Sequence, residues 1–297
     1  MTDAPTSAED LRSGKGHRDE NFPVASHLIR PRHRPIIFAF YNFVRAADDV
    51  VDHAGLAPAE KLALLDRLEA SLLGRDDAEP AGVTLRQRLG ERQLPPSHAQ
   101  DLLTAFRRDV TQTRYRDWDD LIDYCRYSAM PVGRFVLDVH GEPRATWPAN
   151  DALCAALQVI NHLQDCAADY RDLDRVYIPL DAFAAAGLRP DVLGSERAPA
   201  ALRGVIRGLA ERTGRLLREA EPLAAQVDDL RLGLEIAVIQ RLARRLTALL
   251  THRDPLSERV HLTAGGVAGL TLLAVLQGFV RRLIEPRRQA RPMGEGR

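Results

Sequence analysis

A chain of 297 residues with 45% hydrophobic and 28% charged residues has the composition of a soluble globular protein, with enough apolar material for one sizeable core. Its 41 Lys and Arg balance 41 Asp and Glu, so no net positive charge draws it onto nucleic acid, and no nucleic-acid partner is expected. Cys125, Cys154 and Cys166 lie far apart without a C-x-x-C pair, which argues against a zinc site and a disulfide framework and suits a reducing cytoplasm.

Residues 1–19, rich in Gly, Ser, Asp and Arg, read as a flexible leader, and their polar, acidic start carries no secretory signal. Helical periodicity follows over roughly 32–52, 58–73, 97–112, 117–140, 150–170, 199–226 and 230–252, with a last apolar segment near 261–284. No run of alternating strands and no internal repeat interrupts it. The expectation is an all-α fold, one helical domain over 20–284, followed by a basic, disordered tail over 285–297.

Two of these helices carry carboxylates on one face. At 100° per residue, Tyr41, Arg45, Asp48 and Asp52 fall within roughly 60° of one another. Gln158, Asn161, Asp165 and Asp169 occupy about 80° of a second, otherwise apolar helix, with Asp172 on the same side near its end. Aspartates at i and i+4 repel each other unless they share a cation. All-oxygen ligands suit Mg²⁺, which takes a few carboxylates plus water and substrate phosphate. Either stripe alone is more often a solvated helix face. Two such stripes, each with amide, Arg or Tyr companions and apolar flanks, tip the reading towards a site that clamps a diphosphate through bridging metal.

Arg45-Ala-Ala-Asp48-Asp49-Val-Val-Asp52 resembles the first Asp-rich motif of the squalene/phytoene synthase family of head-to-head isoprenoid synthases. Gln158-x-x-Asn161-x-x-x-Asp165-x-x-x-Asp169, followed by Arg175-Val-Tyr177-Ile-Pro179, resembles the second, and the likeness covers roughly residues 18–255. Glu20-Asn21-Phe22-Pro23-Val24-Ala25-Ser26 and the stretch from Tyr124 to Arg134 are most similar to the hydroxysqualene-forming branch of bacterial hopanoid pathways. Asn21 stands where enzymes that couple two prenyl diphosphates commonly have Ser. Cys125-Arg126 and Ala129-Met130-Pro131 replace their Cys-Tyr and Ala-Gly steps, and Gln164 replaces an Arg.

The resemblance implies an isoprenoid-synthase helical bundle around a central apolar cavity. It implies a lyase that ionises presqualene diphosphate and captures the rearranged cation with water, giving hydroxysqualene and diphosphate. Mg²⁺, with Mn²⁺ as the alternative, would be held by Asp48, Asp52, Asn161, Asp165 and Asp169, and no NADPH is expected. Arg45 would add fixed charge to the leaving group. Asn21, Tyr41, Tyr124, Tyr177 and Gln158 are candidates to hold the water or steer the cation. Phe22, Gln158 and Asn161 would contact substrate, as would Arg126 and Arg134, which are expected on one helix. The rival readings are a family member that couples two prenyl diphosphates into presqualene diphosphate, squalene or phytoene, and a non-catalytic lipid-binding or scaffold subunit of the same fold.

From Leu262 to Val280 run 19 uncharged residues, followed by Arg281, Arg282, Arg287, Arg288 and Arg291. Thr263, Gly265, Gly266, Gly269, Thr271 and Gln277 dilute its hydrophobicity. A buried helix beside the lipid cavity is favoured over membrane-surface docking, and both over a true span. The expected location is the cytoplasm, with peripheral attachment to the inner face of the cytoplasmic membrane as the alternative and the neighbouring enzymes of squalene and hopanoid synthesis as candidate partners.

Overall fold

The computed structural model describes residues 7–8 and 29–262 of the chain, and the statements below concern these. Their secondary structure is helical: α1 (Arg34–Asp52), α2 (Pro58–Leu72), α3 (Pro80–Arg92), α4 (Ser97–Thr111), α5 (Trp118–Ser128), α6 (Met130–His140), α7 (Trp147–Leu173), α8 (Leu180–Ala185), α9 (Ala200–Glu219), α10 (Leu223–Gln226) and α11 (Leu230–Leu250). No strand forms among the described residues; one isolated bridge joins Arg114 to Val176.

Local chemistry sets most boundaries. Proline opens α2 and α3, where its missing N–H costs nothing, and Asp117 and Asp229 cap α5 and α11 by accepting backbone N–H groups. The segment expected as one helix over 117–140 is two. Pro131 cannot donate to the carbonyl four residues back and crowds Met130, so the chain bends at Ala129 (φ −127°, ψ −47°). Pro222 divides 199–226 in the same way, into α9 and α10. Helix α3 is not among the helices expected from periodicity, because its buried residues are few and its surface is charged. It forms against α2 at Gly82, where a Cβ would stand 2.9 Å from the Leu68 carbonyl oxygen and the Leu72 nitrogen.

Two apolar clusters build the single domain. One gathers α1 to α4 around Phe43, Leu65, Leu68, Leu85 and Leu103; the other surrounds α7 with α5, α9 and α11. Each fully buried Leu, Ile or Phe contributes about 1.5–3 kcal/mol. Helix α7, 27 residues long, buries Ala155, Ala156, Val159, Ile160 and Leu163 and so lies at the centre of the bundle. Phe40 of α1 stacks on Phe135 of α6 with ring centroids 3.9 Å apart, which ties α6 into the first cluster. Between the two clusters remains a cavity of about 300 Å³, mostly apolar, lined by α1, α6, α7, α10 and α11. The apolar run from Thr263 to Val280, the 1–19 leader and the 285–297 tail lie outside the described residues.

Candidate active site

The aspartate stripes are the continuation of the cavity wall. On α1, Phe40, Tyr41 and Val44 line the cavity, and Arg45, Asp48 and Asp52 follow along the helix. On α7, Leu153, Leu157 and Asn161 line it, and Asp165 and Asp169 follow one and two turns later. Both helices therefore run from an apolar chamber to an acidic end. The two ends face each other, since Asp169 feels the negative charge of Asp52 across the gap.

Crowding marks these carboxylates. Burial, and then Asp52, pushes the Asp48 carboxyl up to about 6; burial, and then Asp165, pushes Asp169 up to about 7. A divalent cation would remove that penalty, so the donor set fits one. No group of three or more acidic, His or Cys side chains among the described residues converges into a ready-made cage. That suits an ion completed by substrate phosphate and water rather than by protein alone.

Arginines organise the rest. Arg45 donates to Asp48 at 2.7 Å and to the buried Asp49 at 2.9 Å, so Asp49 anchors the guanidinium from inside the bundle. Helix α7 stops at Leu173, and Asp174 takes the left-handed conformation (φ 50°), which turns the chain back. Arg175 is thereby buried and reaches across to Asp52, Nη1 donating to Oδ1 at 2.8 Å. Nearby, Lys61 of α2 donates to the Val51 carbonyl at 2.6 Å, and burial, then Arg175, holds its ammonium below the usual lysine range.

Beneath this lies an aromatic cluster. His162 stacks on Tyr177 with centroids 3.5 Å apart, and Gln158 Nε2 bonds its Nε2 at 3.1 Å. Burial pulls His162 down to about 3, so it is a neutral imidazole and Gln158 is the donor. Tyr124, buried, donates to Asp109 Oδ2 at 2.9 Å.

The structure thus brings Tyr41, Arg45, Asp48, Asp52, Asn161, Asp165 and Asp169 to one cavity and its acidic end, with Gln158, Tyr124 and Tyr177 in the adjoining cluster. Asn21 and Phe22 lie outside the described residues. Arg126 and Arg134 stand apart and on different helices, α5 and α6, because of the break at Ala129. Arg126 is exposed, 3.7 Å from Asp123. Arg134 forks onto Asp151 at 2.8 and 2.5 Å and lies over the Trp147 ring, which commits its charge within the protein. Gln164 turns away from the acidic face and donates to the Val260 carbonyl.

Three residues of the site are not singled out by the sequence patterns above. Arg175 enters them only as the start of a flanking motif. Asp49 carries a signal, since it stands at i+4 from Arg45. Asp109 carries another: it lies within about 20° of Leu102 around α4, in the middle of an apolar face.

An acidic pair on each of two helices at one end of an apolar chamber defines a helical isoprenoid-synthase site, and the sequence comparison supplies the family. Residues 16–265 match the squalene/phytoene synthase family model, and the chain belongs to that family. It is 62% identical to the hydroxysqualene synthase of Rhodopseudomonas palustris over 257 residues, 86% of this chain and 88% of that one. It is 54% identical to the hydroxysqualene synthase of Zymomonas mobilis subsp. mobilis over 270 residues, 90% of this chain and 91% of that one. The crystal structure of squalene synthase HpnC from Alicyclobacillus acidocaldarius superposes with a TM-score of 0.69 at 32% identity, covering 81% of this chain and 90% of that one.

Proposed function

We propose that this protein is a hydroxysqualene synthase, which ionises presqualene diphosphate and captures the rearranged carbocation with water, releasing hydroxysqualene and diphosphate. The observation that carries the reading is the continuity of an apolar cavity with two opposed aspartate pairs: one compartment suits the hydrocarbon, the other the diphosphate. The similarity to hydroxysqualene synthases over most of both chains supports the branch.

Asp48, Asp52, Asn161, Asp165 and Asp169 would hold Mg²⁺, with Mn²⁺ as the alternative; bound there, the ion supplies positive charge to the departing diphosphate. Arg45 and Arg175 add fixed charge that interacts more strongly as the C–O bond breaks, and so favours the transition state over the ground state. The apolar wall then shields the cyclopropylcarbinyl cation from random quenching. Tyr41 presents a polar aromatic side chain to the same cavity, suited to steering that cation without attacking it. Asn21 and Phe22 are assigned to the substrate side by resemblance alone.

The test is product analysis. Purified protein with Mg²⁺ and presqualene diphosphate should yield hydroxysqualene, with or without NADPH. Conversion of farnesyl diphosphate into a C30 diphosphate would replace this reading with a coupling enzyme.

No described helix is long and apolar enough to cross a membrane. For the apolar C-terminal region a buried helix beside the lipid cavity is the favoured reading; peripheral attachment at the inner face of the cytoplasmic membrane is the alternative, since substrate and product are water-insoluble, and it would place the protein beside the neighbouring enzymes of squalene and hopanoid synthesis. Co-sedimentation with anionic vesicles, compared with a chain truncated after residue 262, tests it.

A further inference from the structure

Water capture creates a chemical demand that the aspartate stripes do not meet. When water bonds to a carbocation the product is an oxonium ion, and a base must take its proton before an alcohol can leave. Carboxylates held on a metal are poor bases, so a protein acceptor is to be sought outside the stripes.

Asp109 lies in such a place. It comes from α4, which contributes neither stripe, and it is buried. Its Oδ2 accepts the Tyr124 hydroxyl at 2.9 Å, while its Oδ1 is buried with no hydrogen-bond partner among the described residues. The hydroxyl of Tyr115, whose ring centroid is 5.1 Å from that of Tyr124, is also buried and unpartnered there. Tyr124 in turn lies 6.1 Å, centroid to centroid, from His162, the residue after the cavity-lining Asn161. An acceptor and a donor are therefore left over beside a tyrosine that packs towards α7, the helix that walls the cavity. A buried polar group without a partner is costly, so such a pair calls for an explanation.

We propose that Asp109, acting through Tyr124, accepts the proton released when water captures the cation, and so directs the reaction to an alcohol rather than a polyene. The inference rests on the hydroxysqualene-forming reading above. A water lone pair forms the C–O bond, and one water proton passes to the Tyr124 oxygen as the Tyr124 proton passes to Asp109 Oδ2. The O–H bonding pair stays on the product oxygen, and Asp109 ends as a neutral carboxylic acid. No oxidant, reductant or further reactant is required. Burial pushes the Asp109 carboxyl up to about 7, which suits a group that receives a proton. Asp109 is a positioning and proton-accepting residue, and Tyr124 is the group that meets the water.

The deciding quantity is hydroxysqualene formed per diphosphate released, measured with full-length protein, Mg²⁺ and presqualene diphosphate. In Asp109→Asn the ratio should fall by about tenfold or more, with dehydrogenated C30 polyenes making up the balance. Asp109→Glu, which keeps the carboxyl, should retain more of the ratio than Asn does. Tyr124→Phe removes the relay while keeping the ring, and should lower the ratio as Asn does; it also serves if the Asp109 variants fail to fold. A purely structural role would slow both products together and leave the ratio at the wild-type value, and that result in the folded variants overturns the inference. If the wild-type protein forms no hydroxysqualene from presqualene diphosphate, it is the functional reading that fails.

Discussion

Arg175, in the turn after α7, donates to Asp52 at the end of α1 across 2.8 Å, and this bond closes the acidic end of the cavity between residues 123 positions apart in sequence. The Arg175 side chain is 11% exposed, so its charge is felt at low dielectric. Replacing it with Met should leave Asp52 unpaired and cost about 1–3 kcal/mol of stability. It should lower kcat/KM for presqualene diphosphate by about 10²-fold. Thermal melts and steady-state kinetics on the same preparation separate the two effects, and Lys, which keeps the charge but not the fork, should fall between.

The raised Asp48 and Asp169 carboxyls give the metal-free protein a defined pH response. Their folded values, about 6 and about 7, exceed the ordinary aspartate value of 3.8, so the native state holds these protons more tightly than the unfolded chain. Their contribution to stability is complete below pH of about 4 and is lost as pH rises through about 6 to 7. Melting temperatures in EDTA should therefore show a downward contribution over that window, which millimolar Mg²⁺ suppresses and Asp48→Asn reduces. The Asn variant should also lose diphosphate release while keeping its helical circular dichroism.

Gly133 lets α6 approach α7 beside the cavity. A Cβ there would stand 2.1 Å from Asn150 Oδ1 and 2.5 Å from Cys154 Sγ, closer than any side chain tolerates. Gly133→Ala should destabilise the protein by about 1–3 kcal/mol and reduce turnover by displacing the cavity wall. Denaturant melts and turnover assays check this; an Ala variant of wild-type stability would show that the two helices separate freely.

Gln164 ties α7 to the segment after α11 through the buried Val260 carbonyl. Gln164→Leu removes that donor and should cost about 1–3 kcal/mol, seen as a shift of the denaturation midpoint.

Much of the site is legible in the sequence. The i, i+3 and i+4 geometry of a helix is local, so Tyr41, Arg45, Asp48 and Asp52 have to share a face wherever that helix lies, and Asn161, Asp165 and Asp169 likewise. The all-α class follows from the same periodicity. Helix ends are less legible: a continuous apolar pattern conceals the break at Ala129, although Pro131 announces it, and α3 is hidden because its burial depends on Gly82 meeting α2.

What the sequence by itself determined is the content of each face: two stripes of oxygen ligands on apolar helices, and a family likeness that names their chemistry. Only the tertiary structure decided which faces meet. It ran both stripes to the same end of one cavity, turned Arg175 back through the left-handed Asp174 onto Asp52, placed Asp109 under Tyr124, and paired Arg134 with Asp151. The reason is physical. Helical periodicity arises from hydrogen bonds four residues apart, whereas the pairing of faces arises from burying apolar surface between elements far apart in the chain, and a local pattern holds no record of its distant partner.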